Sequence, residues 1–210
     1  MEKKKAILIG DYSVVEWHPL AGTDMALQDI LSDFEVDCTE DYDRFKAVSL
    51  NKYDLCISYI DHWKESLTDE QTAGLLTFVC NGGGLLIIHN GIAMQSRAEL
   101  AQLAGAKFTT HPQERVLTFH PAPAEHIITE EIRDFAFLEE PYQFEQDSFA
   151  ESALLLEYES EGQRWPAAWA HQYAMGRVVY LSPGHHAVAF QDPMYRKLIS
   201  RSALWTIRLL

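Results

Sequence analysis

The stretch LTDEQTAGLLTFVCNGGGLLIIH, residues 67–89, limits the possible folds more than any other part of the chain. Thr68 is followed three residues later by Gln71, the spacing of a capping box, and the segment reaches Asn81-Gly82, residues that tolerate the left-handed conformation ending a helix. The spacing therefore predicts a helix from about 68 to 81. It feeds directly into Leu85–Ile88, an unbroken apolar run that has to be buried on both faces. A capped helix delivering such a strand is the repeating unit of a parallel sheet covered by helices on both sides.

The flanking segments read the same way. KAILIGD is a short apolar strand ending at Gly10 and Asp11, and EVDCTE and YDLCISYI (Tyr53 to Ile60) read as a second and a third strand. Gly22 to Phe34 carries Met25, Leu27, Ile30, Leu31 and Phe34 at near-helical spacing, with Thr23 or Asp24 available as N-cap. Another helix is expected from about Arg97 to Ala104. From Lys107 onward the pattern changes to short strand-like pieces, VLTFH, ALLLEYE, RWPAAWAHQ and GRVVYLS, some of them expected to add antiparallel strands. Asp192 then caps a last helix with Pro193 at its first position and Tyr195, Leu198, Ile199, Ser202 and Trp205 on one face. With 210 residues and no internal repeat, low-complexity tract or linker, residues 1–210 read as a single α/β domain, a mostly parallel sheet with antiparallel additions.

Charge narrows the partners. Seventeen basic residues against 31 acidic ones leave a net charge of −14, which repels phosphate backbones and anionic lipid surfaces, and no local basic patch offsets it. A small neutral substrate is expected, with neither nucleic acid nor membrane as partner. The acidic residues gather around QDILSDFEVDCTEDYD and between Glu125 and Glu161, where the default reading is a solvated face. No apolar run reaches the roughly 18 residues of a membrane span, and the N-terminus lacks the cleavage pattern of a signal peptide, so a cytoplasmic location is expected. Cys38, Cys56 and Cys80 have neither zinc spacing nor an even count and read as small buried hydrophobes.

Ligands of a parallel sheet bind beyond the carboxyl ends of its strands. Those ends carry a consistent set: Asp11 with Glu16, Trp17 and His18; Asp61, His62 and Trp63; His89 and Asn90; Ser182, His185 and His186. His89 stands where the strand turns sharply into Asn90-Gly91, as a nucleophile does at an elbow. Glutamine-hydrolysing amidotransferases place a cysteine there; with an imidazole instead, hydrolysis through a thioester cannot occur at this position. A lone strand-end histidine is by default a core residue satisfied by one hydrogen bond. A second one, His185, at another strand end raises the alternative of a proton-transfer pair or a divalent-metal pair. Glu139, Glu140, Tyr142 and Glu145 form a carboxylate and aromatic cluster suited to general acid work, its default being solvated charge. Trp63, Trp165, Trp169 and Tyr142 offer flat faces for a sugar ring, although tryptophans are more often core. His111 and His120 read as loop or packing residues and His186 as solvent-facing. Gly82 to Gly84 precede their strand, whereas phosphate-binding glycines follow one, so nucleotide binding has no support.

The motifs, in order, resemble those of the trehalose-utilisation (ThuA-like) family, a branch of the class I glutamine amidotransferase-like superfamily. The resemblance runs through the His18 loop, SLTDEQTAGLLTFVCNGGGLLIIHNG, AGAKFTTHP, HIITEEIRDFAFLEEPYQF and PAAWAHQYAMGRVVYLSPGHHAVAFQDPMYRKLISRSALW. In the last stretch Pro166, Trp169, Tyr173, Gly176, Arg177, Gly184, His185, Asp192, Pro193, Arg196 and Trp205 match in order. His89 and His185 match the family's strand-end histidines, and Glu140 with Tyr142 its acidic-x-tyrosine pair. Glu139 replaces a residue that is often Asp, and Ile127 stands where a proline often follows the histidine.

The resemblance implies a three-layer αβα flavodoxin-like fold and a place in bacterial carbohydrate metabolism, beside sugar oxidoreductases acting on disaccharides or their 3-keto derivatives. The expected site has His89, His185, Asp61 and Glu140 as catalytic groups, with His89 and His185 transferring protons or holding a divalent metal. His18, Asn90, Tyr142 and Trp169 are expected to line the substrate pocket. The rival expectation is a non-catalytic sugar-binding or regulatory module that kept the fold after losing the cysteine. A homo-oligomer is the default assembly.

Overall fold

The computed structural model describes residues 3–13, 15 and 17–210. Its elements run β1 (Lys4–Gly10), α1 (Thr23–Ile30), β2 (Phe34–Thr39), α2 (Ala47–Leu50), β3 (Leu55–Tyr59), α3 (Asp69–Cys80), β4 (Gly84–Ile88), α4 (Ala98–Ala104), β5 (Ala106–Thr110), β6 (Arg115–Pro121), β7 (Phe135–Glu139), β8 (Gln143–Gln146), β9 (Ala153–Ser160), β10 (Gln163–Tyr173), β11 (Gly176–Leu181) and α5 (Pro193–Thr206). Nine strands form one sheet in the order β2-β1-β3-β4-β11-β10-β9-β6-β7, and β5 pairs with β8 as a separate ribbon. The first five strands in that order are mutually parallel. Each of the next four is antiparallel to its neighbour.

The alternating direction of side chains along a strand explains the layers. Ala6 and Leu8 of β1, Ile57 of β3 and Leu86 of β4 pack with Leu27 and Ile30 of α1 and Tyr195, Leu198 and Ile199 of α5. Ile7, Ile9, Cys56, Leu85 and Ile87 point the other way, onto Leu75 and Phe78 of α3 and Leu100 and Leu103 of α4. Both faces of the parallel strands are therefore covered, the three-layer α/β arrangement expected of continuous apolar runs. Toward β7 the burial alternates instead, buried and exposed residues in turn along Phe135–Glu139, as in a sheet covered on one face.

The capping box of α3 is present: the Thr68 hydroxyl accepts from the Gln71 amide, and the Gln71 side chain accepts from the Thr68 amide. Past the helix Gly82 takes φ 103°, which returns the chain into β4. Asp192 caps α5 through Met194 and Tyr195, with Pro193 at the first position. The start of α1 corrects the sequence expectation. Gly22 is the cap position, Thr23 and Asp24 lie inside the first turn, and Met25 is exposed rather than on the buried face. All three cysteines are unpaired, with Cys56 fully buried. Among the described residues no helix is long and apolar enough to cross a membrane.

Candidate functional site

The carboxyl edge of the parallel strands brings together side chains from four loops. His89, the first residue beyond β4, has φ 46°, a left-handed conformation that a non-glycine residue rarely adopts. The tightness of the turn forces it. A Cβ on Gly91 would lie 2.0 Å from the Ser58 carbonyl oxygen, so the chain after His89 runs flush against β3. This is the elbow anticipated from sequence, and it aims a fully buried imidazole over the sheet edge.

Three imidazoles and a carboxylate converge there. His89 Nε2 lies 3.2 Å from His18 Nε2 and 3.4 Å from Glu140 Oε2. His185 Nδ1 lies 2.9 Å from His18 Nε2 and 3.2 Å from Glu140 Oε2. His18 Nε2 and Glu140 Oε2 are 4.0 Å apart. The outer nitrogens have fixed partners. His89 Nδ1 is 2.6 Å from the Ser182 carbonyl oxygen, which can only accept, so that nitrogen carries the proton. His18 Nδ1 likewise donates to Asp61 Oδ1 at 2.9 Å. Asp61 is held ionised: burial opposes the charge, but the His18 hydrogen bond and the Trp17 and His18 amides lower its pKa below the usual value.

The protonation pattern exposes a gap. Burial pushes His89 down to a pKa of about 4, so it is neutral and its single proton is on Nδ1. His89 Nε2 is then a bare lone pair directed at His18 Nε2 and at the Glu140 carboxylate. Burial works against the charge of Glu140 too, yet His185 and His89 outweigh it and hold the carboxyl well below its ordinary range. His185 is drawn down by burial and more than restored by Glu140, for a net rise. The His89 lone pair and the Glu140 carboxylate are acceptors 3.4 Å apart, a pair that repels unless a proton or a cation lies between them.

A divalent metal fits that demand. Each of His18, His89, Glu140 and His185 offers one ligand atom, and these atoms all lie within 4.8 Å of one another. Ligands of a tetrahedral zinc at 2.0–2.1 Å stand about 3.3 Å apart, the middle of the separations above. Asp61 and the Ser182 carbonyl supply the outer hydrogen bonds that orient metal-binding imidazoles. Nitrogen and oxygen donors without thiolate suit zinc, manganese or iron rather than calcium or magnesium.

A second layer supports the centre. Glu139, at the end of β7, is fully buried and accepts from the Gly184 amide at 2.7 Å, from the His185 amide at 3.2 Å and from its neighbour Glu140 at 2.9 Å. Burial raises its pKa to about 7 despite those donors. The Tyr59 hydroxyl donates to the Gly184 carbonyl at 2.8 Å, and the Tyr195 hydroxyl donates to the Pro183 carbonyl. The Tyr142 ring stacks on His89 with centroids 4.3 Å apart. The side chains of His18 and His89 are 4% and 0% exposed, against 17% for His185 and 14% for Glu140, so the centre opens on the side of the last two. His111 stands on that rim, Nδ1 3.8 Å from Glu140 Oε1.

Several sequence expectations need revision. Trp169 does not line a pocket. It is fully buried in β10, donates from its indole to the Ala104 carbonyl at 2.8 Å and stacks on Tyr180. Asn90 is a buried brace, its amide donating to the Tyr59 carbonyl at 3.0 Å. Tyr142 is 2% exposed and forms the floor under His89 rather than an open wall. His18 belongs in the centre itself, not among pocket-lining residues. Glu145 is exposed on β8 and stands apart from Glu139 and Glu140, which are not solvated charge. Glu16 lies outside the described residues. Sequence reasoning missed the buried role of Glu139 and the rim position of His111; the only signal for the latter was its place in the AGAKFTTHP motif.

Comparison with known proteins agrees with this architecture. A ThuA-like protein from Parabacteroides merdae superimposes with a TM-score of 0.82 at 17% identity, over 98% of this chain and 90% of that one. A ThuA-like protein from Bacteroides uniformis gives 0.77 at 17% identity, covering 97% and 91%. A cytoplasmic protein from Salmonella typhimurium gives 0.72 at 18% identity, covering 96% and 99%. No curated protein matches the sequence. Residues 17–206 match the family described as ThuA, trehalose utilisation, and the chain belongs to that family.

Proposed function

We propose that the protein is a cytoplasmic, divalent-metal-dependent enzyme of carbohydrate metabolism that processes a disaccharide or its keto derivative. The observation that carries this reading is the convergence of His18, His89, His185 and Glu140, each offering one ligand atom and all these atoms within 4.8 Å of one another. Family membership supplies the carbohydrate setting, and a structural neighbour described as cytoplasmic supports the location.

His18, His89, His185 and Glu140 would hold the ion. When bound, it would polarise a sugar carbonyl or acidify a water molecule. The chain's own groups do the rest. Asp61 fixes the ring and tautomer of His18, and the Ser182 carbonyl does so for His89. Glu139 anchors the 182–185 turn by its amides and so places His185. The free oxygen of Glu140 faces the rim and His111, where it is positioned to accept a hydrogen bond from a substrate hydroxyl. Glutamine hydrolysis is outside this chemistry, because the elbow carries an imidazole and Cys56, the fully buried cysteine, is on β3 itself with its side chain in the core.

The test is elemental analysis of tag-free protein purified without chelator, run beside turnover assays on 3-keto-disaccharides. Near-stoichiometric zinc, manganese or iron that is lost in His89→Asn together with turnover is the expected result. Metal absent from wild type after supplementation overturns the metal reading. Saturable sugar binding with no turnover of any keto-disaccharide would make the protein a binding module.

A further inference from the structure

The sheet edge holds a second feature beside the metal-binding cluster: a cleft of ≈ 670 Å³ outside the ends of β2, β1 and β3. We propose that this cleft is the subsite for an uncharged, polyhydroxylated part of the substrate, and that its lining excludes phosphorylated sugars and nucleotides. The proposal rests on the reading of the cluster as a sugar-processing centre and names which sugars reach it.

Position is the first argument. The chain leaves β1 toward β2 on one side and continues to β3 on the other, so the cleft sits at the switch point where α/β sheets bind ligands. Its size is in the range of pockets that enclose small molecules. Asp61 is common to cleft and centre. It lines the cleft, accepts from the Trp17 amide at 3.0 Å and orients His18. The Asp61 side chain is itself 1% exposed, so a ligand in the cleft adjoins the residue that positions a proposed metal ligand without displacing that contact.

The lining supplies the second argument. Trp17 is 62% exposed and Trp63 is half-buried against Phe108, 5.2 Å between centroids, so indole surface is open to a ring face. Asp11, Glu40, Asp41, Asp43 and Glu65 line it with carboxylates, against one lysine, Lys64. Carboxylates accept hydrogen bonds from sugar hydroxyls and repel phosphate.

The third argument is the start of α1. Folds of this topology bind phosphate on free amides at the helix N-terminus beside the switch point. Here the Asp24 carboxylate stands at that helix start, accepting from the Gly22 amide at 2.9 Å and the Met25 amide at 2.8 Å, so a charge that repels phosphate is already in place.

Calorimetry on zinc-supplemented protein would test the proposal, with a panel of α- and β-linked uncharged disaccharides and trehalose 6-phosphate as the charged counterpart of trehalose. At least one uncharged disaccharide is expected to bind, and the phosphorylated one at least about tenfold more weakly. Trp17→Ala, at an exposed side chain that tolerates truncation, and Trp63→Ala should each weaken the disaccharide about tenfold while leaving metal content unchanged. Glu65→Lys should narrow the gap between the two sugars. Binding of the 6-phosphate as tight as that of trehalose, no effect of either tryptophan variant, or no binding of any uncharged disaccharide overturns the proposal. Metal analysis of the same samples separates the two readings: sugar binding that persists in a protein unable to hold metal removes the metal centre and leaves the cleft.

Discussion

The parallel and antiparallel halves of the sheet contribute opposite chemistry to one site. Parallel strands end on a common edge, so the loops after β1, β3, β4 and β11 all arrive together, bringing His18, Asp61, His89 and His185. Antiparallel strands send alternate loops to opposite edges, and from that half Glu139 and Glu140 reach the centre. They come from β7, five strands away from β4 in sheet order. The three clustered imidazoles come from the parallel half, and the carboxylate that faces them, Glu140, comes from the antiparallel half. The centre therefore depends on the relative placement of two regions that share little local sequence.

The largest effects should come from cutting each half's contribution separately. His89→Asn, chosen because asparagine tolerates φ 46°, and Glu140→Gln are both expected to abolish measurable turnover and to reduce bound metal to about a tenth of wild type or less, read by elemental analysis. Full metal retention in Glu140→Gln would reduce the antiparallel half to a packing role. Next in size is Glu139→Ala, which strips the acceptor from the Gly184, His185 and Glu140 amides. A loss of about 3 kcal/mol, or roughly 10 °C in Tm, is expected by thermal unfolding, with Glu139→Gln retaining most of the stability. An unchanged Tm in the alanine variant would show that the two halves hold together without this link.

Asp61→Asn sharpens the comparison from the parallel side. Losing the charged acceptor behind His18 should weaken metal affinity by about 10–100-fold, measured by chelator competition, with little change in fold. The smallest effect is in the pH dependence of metal-free protein. His89, lowered to about 4, is neutral when folded while the unfolded chain binds a proton near 6.5, so its contribution is full above 6.5 and is lost as pH falls toward 4. Glu139, raised to about 7 from its ordinary 4.5, contributes with the opposite sign: full below 4.5 and lost as pH rises through 7. Between 4.5 and 6.5 the two slopes oppose each other. Glu139→Gln removes one, so urea unfolding should show its stability rising with pH by up to about 1.4 kcal/mol per unit more steeply than wild type. Equal slopes would mean that Glu139 is ionised throughout.

Much of the parallel half is legible in the chain itself, because its signals are local. Thr68, Gln71 and Asn81-Gly82 mark a helix through capping chemistry within a turn or two, and Leu85–Ile88 declares burial on both faces by having no polar residue. The rule that strand ends meet on one edge then places Asp61, His89 and His185 without any further information. The elbow at His89 is readable for the same reason: a small residue two positions on is what lets so sharp a turn close.

What tertiary structure alone decides is burial and partnership across long sequence separations. Nothing near Glu139 announces that its carboxylate will be fully buried under the Gly184 and His185 amides, and solvated charge is the natural reading of an acidic run. Trp169 reads equally well as a sugar platform or as core until its indole meets Ala104, 65 residues away. His18 looks like one polar loop residue among several, and becomes a centre residue only when the β1 loop folds over Asp61. Periodicity and capping act within a few residues and are written in the sequence. The convergence of His18, His89, Glu140 and His185 depends on sheet order and packing, which no local segment encodes.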